Sequence, residues 1–198
     1  MDSILTTFEL ALIMILPLIL YYLRAGLPAG KIVLYIAVLD VFWFGTYSLL
    51  HELCHLFTSR VTGAEIMDYQ LIPRFWEGDF RNGYVNADLE TTMQWTLSPL
   101  SPYIRDMIFL AIGYFLLKGG KIRHPLQSGA VITLFVLSPI YDVFNNYFAF
   151  VLGARNDFNA ASGTIGVFVT HMIGIAFLLS GLIVLRWYFE KPNRKYPE

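Results

Sequence analysis

The stretch from Ile32 to Phe57 reads IVLYIAVLDVFWFGTYSLLHELCHLF and decides the fold class of this chain. A helix needs about 20 mostly apolar residues to cross the hydrocarbon core of a bilayer, and this stretch exceeds that length. Its last turns carry His51-Glu52-Leu53-Cys54-His55, which places three ionisable side chains close together in a mostly apolar helix. Such side chains are costly in lipid unless they have partners, so we interpret them as functional.

The composition of the whole chain also indicates a membrane protein. Of its 198 residues, 56% are hydrophobic and 15% are charged, whereas a soluble domain carries about 25% charged residues. A soluble protein of this length buries about 70% of its surface and could not hide so many apolar side chains. The net charge of −1 argues against nucleic-acid binding. Cys54 is the only cysteine, so no disulfide can form within the chain.

We therefore predict an all-α, multi-pass integral membrane protein that forms a single membrane-embedded domain over residues 1–198. The long apolar segments predict five transmembrane helices. They run from Ile4 to Leu23, Ile32 to Phe57, Ile104 to Leu117, Leu126 to Leu152 and Ile165 to Phe189. The third segment is short, and it can be extended only through Trp95–Tyr103, where Pro99 and Pro102 are expected to break the helix.

A polar segment from Ser59 to Gln94 separates the second and third predicted helices. Loose alternation over Ala64–Pro73 predicts a short strand, and Asn82-Gly83 is a hairpin signal. The segment is either a simple loop outside the membrane or a loop that partly dips back against the membrane domain. The excess of Lys and Arg on one side of the membrane places the C-terminus inside.

His51 and His55 are four residues apart, so on a helix they share one face and can bind one metal ion. Zinc is the ion that this pattern indicates, with one ion expected per chain. Glu52 lies beside His51, where its carboxylate can take a proton from a water on the zinc and pass it to a leaving amine. The alternative is a polar cluster at the membrane edge that packs against the following loop.

A catalytic zinc has three protein ligands and one open position, so a third ligand is needed. Asp142 is about 15 Å along the fourth helix from the same membrane side, a depth comparable with that of the two histidines. Pro139 precedes it and could aim the carboxylate inward. Alternatively, Asp142 is a structural acid that pairs with Arg or Tyr. His171, about 9 Å deep in the fifth helix, is the alternative ligand.

Asn145 and Asn146 follow Asp142 by about one helical turn. These two amides could hold a substrate backbone or orient the metal ligand. They could equally form ordinary hydrogen bonds between helices.

The chain resembles the site-2 protease family of intramembrane zinc metalloproteases in three features. The first is the His51–His55 motif near the end of a membrane helix. The second is Thr62-Gly63-Ala64, followed by a strand-forming stretch and a helix that opens with Ser98-Pro99-Leu100-Ser101-Pro102. The third is Pro139 shortly ahead of Asp142, the position of the family's metal-binding aspartate.

The resemblance covers roughly Ile32 to Leu152 and implies a catalytic core formed by the second, third and fourth helices. It implies hydrolysis of a peptide bond within or near a membrane-spanning segment of a protein substrate. It also implies that the substrate is presented as an extended strand, against the Ala64–Pro73 region. The family places this site toward the cytoplasm, whereas the charge rule places the Phe57 end of the second helix outside, so the orientation stays open.

Two other functions compete with proteolysis. A membrane zinc hydrolase that acts on a lipid amide or ester would use the same chemistry at zinc. A catalytically degenerate relative would act as a membrane scaffold, although the presence of His51, Glu52 and His55 together argues against this reading. A membrane di-iron oxygenase needs more histidines than the four in this chain. The sequence leaves the oligomeric state open.

Overall fold

The computed structural model describes residues 9–72, 74, 83–119, 122 and 124–190. Over these residues the chain is mostly helical, as predicted, with one small sheet. The helices are α1 (Ala11–Arg24), α2 (Ala29–Val61), α3 (Thr92–Lys118), α4 (Pro125–Val151), α5 (Asp157–Ile165) and α6 (Val167–Glu190). The strands are β1 (Glu65–Gln70) and β2 (Tyr84–Asp88).

Four of these helices, α2, α3, α4 and α6, are long and apolar enough to cross a membrane. Large apolar side chains stand exposed along them; Val41 on α2 is 74% exposed and Phe168 on α6 is 76% exposed. Exposed apolar surface on this scale is unfavourable in water and favourable in lipid. Length, composition and exposure together indicate a membrane protein.

The first predicted span corresponds to α1, which is shorter than a full crossing over the residues described. Residues 4–8 of that prediction lie outside the described part of the chain. The number of spans therefore stays a prediction, while the four longer helices agree with the segments predicted from hydrophobicity.

Helix α3 differs from the prediction that Pro99 and Pro102 break the helix. It begins at Thr92 and continues without a break through Pro99 and Pro102, although proline removes a backbone donor and usually ends or kinks a helix. Prolines are tolerated where neighbouring groups satisfy the freed carbonyls. The polar segment is correspondingly shorter than predicted, because α2 extends to Val61.

The contacts group the chain into two compact units, each built from separated stretches of sequence. The first unit contains the described parts of Met1–Trp43, Asp106–Asn145 and Gly174–Glu198. In this unit the Trp43 indole donates a hydrogen bond to the Ser138 hydroxyl over 2.9 Å, and its ring packs edge-on against Tyr141.

The second unit contains Phe44–Arg105 and Asn146–Ile173, apart from the residues that are not described. It holds the last turns of α2, the two strands, the first half of α3, and α5. The strands pair in an antiparallel ladder from Glu65↔Asp88 to Gln70↔Tyr84, with an irregularity between Ile66 and Asp68. The predicted strand stretch is therefore present, whereas Asn82 of the predicted turn lies outside the described residues.

Candidate metal centre

The last turns of α2 bring the two motif histidines together. His51 and His55 are both buried, at 9% exposure, and their Nε2 atoms are 3.2 Å apart. This is the outcome expected for residues four apart on a helix, because they lie one above the other on a single face.

The third member of the cluster is Asp157, the first residue of α5. Its Oδ2 atom lies 3.2 Å from Nε2 of His51 and 3.3 Å from Nε2 of His55. Among the residues that the structure describes, this is the one group of three His, Cys, Asp or Glu side chains close enough to share a metal ion. The Asp157 side chain is 26% exposed and each histidine side chain 11%, so the cluster is partly enclosed.

The carboxylate beside the two imidazoles is thus that of Asp157, and Asp142, the predicted third ligand, is not a member of this group. Asp142 lies in the middle of α4, in the first compact unit, and is fully buried there. The prediction compared depths along two helices and had no information on the direction in which each side chain points. The two histidines and Asp157 all belong to the second unit.

The turn before α5 explains how Asp157 reaches this position. Asn156 has an extended backbone and caps the helix, because its side-chain oxygen accepts a hydrogen bond from the Asn159 amide over 3.1 Å. Its Nδ2 donates to the main-chain carbonyl of Asn146 over 2.6 Å. Phe158 is fully buried, with its ring 4.5 Å from that of Tyr103. The cap and the buried ring fix the start of α5 on both sides of Asp157.

The predicted spans leave residues 153–164 without an assigned structure, so the sequence prediction does not include α5. A local signal was present. Asn156-Asp157 is a strong helix start, since Asn caps well and an acidic residue in the first turn favours the helix dipole. This signal predicts a short helix, but it does not predict that the Asp157 carboxylate contacts the two imidazoles.

Two residues of α3 form hydrogen bonds with members of the cluster. The Nδ1 atom of His55 lies 2.8 Å from the main-chain oxygen of Ser98. A carbonyl can only accept, so Nδ1 carries the proton and the lone pair of the neutral ring is on Nε2, facing Asp157. The Tyr103 hydroxyl donates to Oδ2 of Asp157 over 3.3 Å. Outer contacts of this kind orient metal ligands.

The charge state of Asp157 also suits a metal ligand. Burial raises the pKa of this carboxyl, but hydrogen bonds and charge from the protonated rings of His51 and His55 outweigh it in the metal-free protein, so that the pKa lies well below its usual range. The carboxylate is therefore ionised at neutral pH, which is the form that binds a cation.

Glu52 is buried at 8% exposure and follows His51 directly on α2. One turn earlier, the Ser48 hydroxyl donates to the carbonyl of Leu71 over 3.3 Å and accepts from the amide of Gly83 over 2.9 Å. Gly83 approaches the helix so closely that a Cβ there would lie 2.7 Å from Cγ of Glu52. The chain around the two strands therefore packs directly over the Glu52 side chain.

The other predicted site residues lie outside the cluster. The Nδ1 atom of His171 is 2.9 Å from the Tyr147 hydroxyl, which is the hydrogen-bonding role expected for a lone histidine on an apolar helix. Asn146 contributes its main-chain carbonyl to Asn156, and Asn145 belongs to the first unit. The predicted role of Asn145 and Asn146 in substrate binding stays a prediction.

The chain matches no protein-family model, no curated protein and no solved structure. The cluster of His51, His55 and Asp157 could hold a metal ion. The resemblance to the site-2 protease family therefore remains a hypothesis that rests on the motif and on the chemistry of this cluster.

Proposed function

We propose that the chain is an intramembrane zinc metalloprotease of the site-2 protease type, with His51, His55 and Asp157 as zinc ligands. The observation that carries this proposal is the triangle of two imidazole nitrogens and one carboxylate oxygen with edges of 3.2–3.3 Å. Zinc binds such atoms at about 2.0–2.1 Å, so two ligands of a tetrahedral site lie about 3.3–3.4 Å apart. The three atoms would therefore suit one face of such a site, in which the fourth position would be taken by water or substrate.

The donor set also favours zinc over other ions. Two nitrogens and one oxygen suit zinc, whereas calcium and magnesium prefer oxygen ligands alone. When bound, zinc would act as a Lewis acid that activates water and polarises a carbonyl group. The chain's own residues would hold the ion with two neutral imidazoles and one anion.

Glu52 would act as the general base and acid. Its carboxylate takes a proton from the attacking water and delivers it to the nitrogen of the leaving amine. It is buried beside His51 on the same helix, so its position relative to the ligands is held by the backbone of α2. The Tyr103 hydroxyl would keep Asp157 oriented through the bond that it donates to Oδ2.

A peptide substrate is favoured by the strands that follow the metal-binding helix. β1 begins four residues after α2 ends, in the same compact unit as the cluster. An extended peptide can add to the edge of such a sheet through main-chain hydrogen bonds, which is a common mode of peptide recognition. The four membrane-length helices make a membrane-spanning protein the natural class of substrate.

The test uses the full chain purified in detergent and returned to lipid vesicles. We expect about one zinc per chain, and cleavage of a reporter protein with a single membrane-spanning segment. The Glu52→Gln variant should keep its zinc and lose cleavage, because it removes the base and spares the ligands. Cleavage at the wild-type rate in that variant would reject the mechanism, and hydrolysis of an acyl amide in place of the reporter would reject the peptidase assignment.

A further inference from the structure

Pro102 lies one helical turn after Ser98 on α3, and this spacing affects the Ser98 carbonyl. In an α-helix each carbonyl accepts a hydrogen bond from the amide four residues later. The residue four after Ser98 is Pro102, which has no N–H. The Ser98 oxygen thus lacks its regular helical donor, and it accepts from the His55 ring instead, over 2.8 Å.

The Ser98 oxygen has a full complement of partners in this arrangement. A carbonyl oxygen has two lone pairs. One accepts from Nδ1 of His55, and the other accepts from the Ser101 hydroxyl over 2.8 Å. An amide at position 102 would be a third donor, held in the most favourable place by the helix itself. It would compete directly with the imidazole.

We infer that Pro102 is a positioning residue for the metal centre, because it keeps the Ser98 carbonyl available to hold His55 with its Nε2 lone pair toward Asp157. The inference rests on the proposed metal site and is independent of which bond the protein cleaves. Groups that orient metal ligands in this way typically change metal affinity by about 10–100-fold when they are lost.

The chain supplies a matched control three residues earlier. Pro99 is also inside α3 and is also buried, but the carbonyl that it deprives of a helical donor is that of Trp95, whereas Nδ1 of His55 bonds to the carbonyl of Ser98. Pro99→Ala and Pro102→Ala remove the same atoms and restore the same kind of amide. Only the second change offers a competitor to His55.

The experiment measures the zinc affinity of the full-length protein in detergent by competition with a chelating dye, together with its thermal stability. We expect Pro102→Ala to bind zinc about 10–100-fold more weakly without a fall in the melting temperature of the metal-free protein. Pro99→Ala should bind zinc as tightly as the wild type. Pro102→Val also restores the backbone amide, and its side chain fills more of the space left by the proline ring than alanine does. If the amide is the cause, this variant should lose as much zinc affinity as Pro102→Ala.

Two results would overturn the inference. The first is wild-type zinc affinity in Pro102→Ala. The second is an equal loss of affinity in Pro99→Ala and Pro102→Ala, which would show a general effect of altering α3.

A second measurement needs neither zinc nor substrate. Histidine labelled with ¹⁵N reports which ring nitrogen carries the proton, and a His55→Gln variant identifies the His55 signal among those of the four histidines. At a pH where the ring is neutral, His55 should carry its proton on Nδ1 in the wild type and in Pro99→Ala. It should lose this preference in Pro102→Ala. An unchanged preference there would reject the inference even if the protein proves not to be a protease.

Discussion

The Nε2 atom of His51 lies 3.2 Å from Oδ2 of Asp157, although 106 positions separate the two residues in sequence. One comes from the end of a membrane-length helix and the other from the first turn of a nine-residue helix. Nε2 of His55 lies 3.2 Å from Nε2 of His51 and 3.3 Å from Oδ2 of Asp157, so the two-histidine motif becomes part of a three-residue group that could hold a metal ion.

Asp157→Asn should lose most of the zinc affinity, because the neutral amide is a much weaker ligand than a carboxylate. Asp142→Asn and His171→Ala are the controls, since each alters a residue that was itself a candidate ligand. Both should retain about one zinc per chain. The zinc content of the three purified variants identifies the third ligand. Full zinc content in Asp157→Asn together with loss of zinc in Asp142→Asn would identify Asp142 as that ligand.

Tyr103→Phe should weaken zinc binding by about 10-fold, because it removes the hydroxyl that donates to Asp157 and keeps the buried ring. Tyr147→Phe is a matched control in the same compact unit, since its hydroxyl is bonded to His171. Its zinc affinity should equal that of the wild type. Titration with a competing chelator measures both, and equal affinities in the two variants would show that the Tyr103 hydroxyl has no part in the site.

Gly83→Ala should lower the cleavage rate while leaving zinc bound. A Cβ at Gly83 would lie 2.7 Å from Cγ of Glu52 and 2.6 Å from the main-chain oxygen of Gln70, so the loop or the Glu52 side chain must shift. A displacement of about 1 Å at a catalytic group can cost about 100-fold in rate.

Gly45→Ala is the control for the Gly83 variant, because Gly45 is on the same helix as Glu52 and a Cβ there would meet nothing within 4 Å. Its cleavage rate and zinc content should match those of the wild type. An unchanged rate in Gly83→Ala would mean that the loop can move aside without disturbing Glu52.

Asn156→Ala should lower the free energy of unfolding by about 1–2 kcal/mol, because it removes the cap of α5 and the bond to the Asn146 carbonyl. Zinc affinity should fall as well, since the cap positions Asp157. Asn156→Ser keeps a capping oxygen and loses the bond to Asn146, so it should recover part of both losses. If Asn156→Ala and Asn156→Ser behave alike in thermal unfolding, the cap contributes little.

The membrane-length helices and the paired histidines could be predicted from the sequence, because both depend on neighbours close along the chain. Apolar length and the 3.6-residue repeat place His51 and His55 on one face of α2 without any knowledge of the fold. The strand at β1 also follows from local pattern.

The continuity of α3 through Pro99 and Pro102 could not be predicted in this way. At Ser98, the partner that replaces the missing amide is a histidine ring from another helix. Local sequence predicts that proline ends a helix. The helix nevertheless continues when a group distant in sequence donates a hydrogen bond to the carbonyl that proline leaves without a donor.

By itself, the sequence determined the membrane character of the chain and the two histidines that can share a metal ion. Only the tertiary structure identified Asp157 as the third residue of the cluster, because residues far apart in the chain come together through packing that no local pattern encodes. Asp142 and Asp157 both had the right chemistry. The cap at Asn156 and the buried Phe158 place Asp157 beside the imidazoles, whereas Asp142 is fully buried on α4 within the first unit.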